Sequence, residues 1–135
     1  MIAGISVSPQ VSAQKDLVKY VNTLQGTNST YELSWGNTYP TTAVPYPMHA
    51  WSPQTGKNGD GWKYKYTATT IRGFQETHQC SPWVGDYGVF SLMPVLGKLV
   101  VGEEERALSF KHENEVGSPH YYKVKFDNGI TTEMS

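Results

Sequence analysis

Disulfides are ruled out first, because the 135 residues contain a single cysteine, Cys80. No internal bridge can form, so any stability comes from packing rather than covalent stapling. Charge is scarce as well: charged residues make up 17% of the chain and the net charge is −1. No basic field exists to attract phosphates, which argues against nucleic acid as a partner. No apolar run reaches the roughly 18 residues of a membrane-spanning helix. A glycine-rich phosphate loop and a dinucleotide-binding fingerprint are both missing. What the chain does have is aromatic area, at 13% of residues with nine Tyr and four Trp. The length suits one domain with a real core.

Alternation, the mark of half-buried strands, dominates the pattern. Lys63–Ala68 puts Tyr64, Tyr66 and Ala68 on one face and the lysines on the other. Val89–Val95 reads as a more buried strand. Leu108, Phe110 and His112 share a face of Ala107–Glu113. Tyr122, Val124 and Phe126 share another, with Lys123 and Lys125 opposite. Asn128-Gly129 marks a turn, and Ile130–Met134 starts a return strand. Helix signals are weak: Gln14–Leu24 offers one short candidate, and Gly and Pro punctuate nearly everything after it. The expected fold is all-β, an antiparallel β-sandwich over residues 15–135. Met1–Gln14 reads as a signal-peptide remnant or a disordered leader. The strand so near the C-terminus fits a complete hairpin, and equally a sandwich whose next strands lie elsewhere.

Candidate chemistry concentrates in Thr77-His78-Gln79-Cys80-Ser81-Pro82-Trp83 and Gly85-Asp86-Tyr87-Gly88. Loops between strands are where a rigid scaffold usually presents binding groups. An indole at Trp83 or Trp35 offers a flat face to the C–H patch of a sugar ring. Either could instead plug the end of a core, the reading preferred for Trp51 and Trp62. Asp86 can accept hydrogen bonds from vicinal hydroxyls, or close a turn between Gly85 and Tyr87. His78 and Cys80 supply only two ligands, too few for a tetrahedral metal site. His49, His112 and His120 are widely spaced, so no metal is expected in this chain. Glycoside hydrolysis needs paired carboxyl groups. Among Asp60, Asp86, Glu113 and Glu115, the last two would share a face if extended, roughly 7 Å apart. That spacing is common on surfaces, and no catalytic residue is assigned.

The order of short motifs carries a resemblance. Gln25-Gly26-Thr27 is followed by Gly36-Asn37-Thr38-Tyr39-Pro40, Val44-Pro45-Tyr46-Pro47-Met48 and Ser52-Pro53-Gln54-Thr55. Then come Tyr64-Lys65-Tyr66, Ile71-Arg72-Gly73-Phe74, Thr77-His78-Gln79, Ser81-Pro82-Trp83-Val84-Gly85-Asp86-Tyr87-Gly88 and Met93-Pro94. Ser109-Phe110-Lys111-His112-Glu113-Asn114-Glu115 and Ser118-Pro119-His120-Tyr121-Tyr122-Lys123-Val124 close the series. From about Asp16 to Ser135 the chain resembles the N-terminal domain of glycoside hydrolase family 92, the exo-acting α-mannosidases. It departs at Thr41-Thr42 and Pro47, where glycine or alanine is usual, at Gly117 for alanine, and at His120 for glycine.

The resemblance implies a β-sandwich that lends residues to a mannose pocket, an aromatic side chain among them. Carried over by motif, these are Trp83, His78, Asp86 and Tyr87, with Trp35 added as a stacking candidate. It implies inversion of configuration, calcium in the parent enzyme, and a general acid and base on an (α/α)6 barrel outside these residues. The expected partners are a mannose-containing glycan and that barrel, in a bacterial protein that is secreted, periplasmic or held at the cell surface. A stand-alone carbohydrate-binding or purely structural sandwich is the alternative. A partial sandwich would also leave an apolar face exposed, favouring self-association.

Overall fold

The computed structural model describes residues 17–78 and 90–135. The leader therefore lies outside the described residues, as do Cys80, Trp83, Asp86 and Tyr87. Among the described residues seven strands run in chain order: β1 (Ala50–Gln54), β2 (Thr70–Ile71), β3 (Gly73–Thr77), β4 (Ser91–Leu92), β5 (Leu108–Ser118), β6 (Tyr121–Phe126) and β7 (Thr131–Met134). They form two sheets, β1-β3-β4 and β2-β5-β6-β7, and every pairing is antiparallel.

The C-terminal hairpin follows its sequence closely. Tyr122, Val124 and Phe126 are 1%, 0% and 2% exposed. The Asn128 side chain accepts from the Ile130 N–H at 3.1 Å, and Gly129 turns the chain at φ +91°. On the outer face Lys123 sits opposite Glu133, with 2.9 Å between the charged atoms.

The two sheets close on one core. Ile71 and Phe74 enter it from strands of different sheets, and only Arg72 and Gly73 lie between them. Arg72 is the corner where the chain changes sheet, a usual device in sandwiches. Its N–H donates to the Gln54 carbonyl at 2.8 Å, and its guanidinium holds the Thr55 carbonyl and Glu104. Phe74 then meets the rings of Tyr122 and Phe126 across the gap, at 6.1 and 6.3 Å between centroids. Phe110 and Val124 complete the buried cluster, and Trp51, Met93, Leu108, Ile130 and Met134 pack on its margin.

Three expectations need correction. Lys63–Ala68 is not a strand. Its backbone is satisfied by loops: Lys63 C=O accepts from Thr55 N–H, Lys65 N–H donates to Thr55 Oγ1, and Tyr66 N–H donates to the Thr27 carbonyl. Both Tyr64 and Lys63 are buried, so the alternation does not sort an inner from an outer face. The strand expected over Val89–Val95 shrinks to Ser91–Leu92 at a sheet edge, with Phe90, Leu92 and Val95 exposed. Pro94 has no N–H to extend the ladder. The third correction concerns β5. Phe110 pairs with Phe126 but Glu115 pairs with Val124, so a bulge adds residues between them. A bulge shifts the two-residue alternation. Glu113 consequently faces out, while Glu115 turns inward with Phe110.

Of the helix signal near the N-terminus, the described residues hold a 3-10 turn at Val18–Tyr20, and Tyr31–Asn37 forms a kinked turn in which Ser34, Trp35 and Gly36 take positive φ.

Candidate functional site

Two of the five substrate-binding candidates fall in described residues, and the fold places them in different clusters. Trp35 lies at the kink of Tyr31–Asn37 with φ +50°, half-buried, with the Lys65 ammonium 5.1 Å from its ring centroid. The same ammonium stands 5.6 Å from the Trp62 ring and pairs with Asp60 at 3.0 Å. One lysine thus ties two indoles and a carboxylate into a cation–π cluster. Trp35 contributes to that cluster, and Asp60 is engaged with Lys65 and with the Trp62 N–H.

His78 follows β3 directly and belongs to another group. Ala50 pairs with Thr77 in the β1–β3 ladder. One further step of that register sets His49 opposite His78. Side chains two apart on a strand share a face, so Glu76 lies on the same side as His78. The result is measured directly: His49 Nδ1 is 3.0 Å from Glu76 Oε1, and His78 Nε2 is 3.3 Å from the same oxygen. The imidazole centroids are 5.0 Å apart, at 73° between planes. Glu76 is buried, with a side chain 6% exposed, while that of His49 is 69% exposed. His49 also lines a shallow groove of about 350 Å³ with Thr42, Val44, Pro45, Tyr46 and Trp51. Sequence spacing misses this trio because His49 and Glu76 are 27 residues apart and meet only through strand register. As a ligand set it does not fit calcium, which takes about six to eight oxygen ligands.

The third cluster is buried. The bulge in β5 aims Glu115 between the sheets, where its side chain is 0% exposed. Tyr64 Oη donates to both carboxylate oxygens, at 2.9 and 2.8 Å, and Tyr122 Oη donates at 2.5 Å. His112 Nδ1 lies 2.7 Å from Glu115 Oε2, and its Nε2 lies 2.5 Å from the Tyr66 carbonyl. Both ring nitrogens face oxygen partners. The Tyr66 ring stacks on His112 at 3.7 Å and 8°. A buried carboxylate is tolerable only when its oxygens are bonded in this way. Glu115 therefore organises the core and presents no open face to a substrate.

Burial first, and the neighbouring Glu115 carboxylate second, hold the Tyr64 and Tyr122 phenols far above the usual tyrosine range. In an unfolded chain these phenols titrate near pH ~10. The folded state then holds protons that the unfolded state has lost. Their contribution is fully present below about pH 10 and falls as pH rises further, by about 1.4 kcal/mol per pH unit for each phenol. The urea midpoint should hold steady up to about pH 9 and drop steeply by about pH 11. Tyr122→Phe should roughly halve that slope. A midpoint unchanged across this range would contradict the buried network.

Two antiparallel sheets with a carboxylate locked inside define an all-β domain. A family model described as the glycosyl hydrolase family 92 N-terminal domain matches residues 20–135. The chain belongs to that family. It is 51% identical to the structure of the family GH92 inverting mannosidase BT2199 from Bacteroides thetaiotaomicron, with a TM-score of 0.82, covering 90% of this chain and 17% of that one. The family GH92 α-mannosidase BT3965 of the same organism is 30% identical with a TM-score of 0.74, again over 90% of this chain and 17% of that one. BT3965 has also been solved in complex with mannoimidazole. A protein of Arthroderma benhamiae described as an uncharacterized secreted glycosidase is 26% identical over 98% of this chain and 18% of its own length. The chain thus spans less than a fifth of these relatives.

Proposed function

We propose that this chain supplies the sandwich scaffold and part of the sugar pocket of a secreted, inverting exo-α-mannosidase, with the general acid and base on an (α/α)6 domain beyond these residues. The observation that carries this reading is the 51% identity over 90% of the chain to a structure named an inverting mannosidase. The chemistry of the described acids supports it. Hydrolysis with inversion needs two carboxyl groups about 6.5–9.5 Å apart across the scissile bond. Asp60 is held by Lys65, Glu115 is sealed in the core, and Glu113 faces out on the opposite side of β5. None of the three is poised in such a pair.

Trp83, His78, Asp86 and Tyr87 are the pocket residues on this reading. The indole would stack on the mannose ring, and the polar groups would meet its hydroxyls. Calcium, when bound in the parent enzyme, would favour a distorted sugar ring; its ligands would come from outside the His49–Glu76–His78 trio. Phe90, Leu92, Val95, Leu96, Leu99 and Val101 are all exposed. That apolar run is where neighbouring parts of the parent protein, or a second copy of this chain, would lean.

The test uses the protein in which this domain is joined to its (α/α)6 partner. Trp83→Ala should lower kcat/KM on an α-linked mannobiose by about tenfold or more, with an unchanged melting temperature. Wild-type activity with the alanine would remove Trp83 from the pocket and leave the domain a pure scaffold.

A further inference from the structure

We infer that His49, Glu76 and His78 form a site for a borderline divalent transition ion of the Zn2+ class. Their candidate ligand atoms all lie within 4.8 Å of one another. Tetrahedral zinc with bonds near 2.1 Å separates its ligands by roughly 3.4 Å. The two measured nitrogen–oxygen separations, 3.0 and 3.3 Å, are already close to that value.

The backbone explains why the three converge. His49 and His78 lie one step beyond the Ala50–Thr77 pair that ends the β1–β3 ladder, and Glu76, within β3, precedes His78 by two residues. The paired strands thus fix Glu76 within β3 and set both histidines directly at the strand ends beside it. His49 stands at the exposed end of β1, so its ring can rotate to close the third corner.

Electrostatics supplies an independent observation. The Glu76 carboxylate is almost wholly buried, and one of its oxygens is shared between both imidazoles. A buried carboxylate calls for positive charge beside it. A divalent ion provides it while the rings stay neutral, which is the form in which histidine binds metal. Two imidazole nitrogens and one carboxylate oxygen suit zinc, cobalt or nickel better than calcium or magnesium. Three protein ligands leave a fourth position for water or another donor. The exposed side of His49 and the adjoining groove give the ion a route in. Bound there, it would tie β1 to β3 and favour the folded state.

The experiment is calorimetric titration of tag-free, chelator-treated protein with ZnCl2, followed by Co2+ absorption spectroscopy. The inference expects one ion per chain, a raised melting temperature with zinc, and a four-coordinate cobalt spectrum. His49→Ala and His78→Ala should each weaken binding by about tenfold or more, while His120→Ala leaves it unchanged. Excess Ca2+ should not displace the ion. Glu76 is buried, so Glu76→Gln is read only if its melt remains cooperative; the exposed His49 variant decides the matter in any case. No saturable binding, or binding that His49→Ala and His78→Ala leave intact, would overturn the inference and make the trio a purely structural cluster.

Discussion

Glu115→Ala should cost the fold about 3–5 kcal/mol, because it strands three donors inside the protein at once. Tyr64 Oη, Tyr122 Oη and His112 Nδ1 all terminate on this carboxylate. Water cannot replace it easily, since Tyr64 and Tyr122 are each 1% exposed. Glu115→Gln keeps the shape and one acceptor oxygen, but sets an amide against the other donors. It should cost less than the alanine. Urea denaturation followed by circular dichroism separates the two. A loss below about 1 kcal/mol for the alanine would mean that the network is not closed in solution.

Phe74→Ala should be comparably damaging, at about 3–5 kcal/mol. Phe74 is the residue of the first sheet whose ring contacts both Tyr122 and Phe126 of the second. It is 2% exposed, so truncation opens a cavity between the sheets instead of a dent in the surface. Leu99→Ala is the matched control. Leu99 is 73% exposed, and its loss should stay within about 0.5 kcal/mol. Thermal melts of the two variants test whether the sheets share one core. Equal small shifts would mean that they do not.

The hairpin was legible in the sequence because two local signals agree there. The Tyr122-Val124-Phe126 alternation sets the inner face, and Asn128-Gly129 sets the turn. Nothing in the alternation of β5 reveals its bulge, because the residue count between pairing points is fixed by the partner strand. Glu113 and Glu115 consequently read as neighbours on one face, although the fold sends them to opposite ones. Lys63–Ala68 has the period of a strand, but no partner strand takes up its hydrogen bonds.

The family motifs were readable as order and spacing, while their physical sense needed coordinates. Gly26 and Gly36, from the first two motifs, touch each other. A Cβ on Gly36 would collide with the Gly26 carbonyl, and Gly36 also takes φ +75°. The His49–Glu76–His78 trio was beyond linear reading for a related reason. Its members become neighbours only once β1 and β3 are paired in register. Trp83, Asp86 and Tyr87 were proposed from the motif and lie outside the described residues, so their roles rest on the resemblance.

The most direct test of the division of labour is mannose release by these 135 residues alone. Purified chain is incubated with an α-linked manno-oligosaccharide and calcium, and free mannose is followed over time. With the acid and base on another domain, release should not exceed the no-protein control. Turnover above that control, abolished by Asp60→Asn, Asp86→Asn or Glu113→Gln, would place catalysis within this domain and contradict the assignment of its chemistry elsewhere.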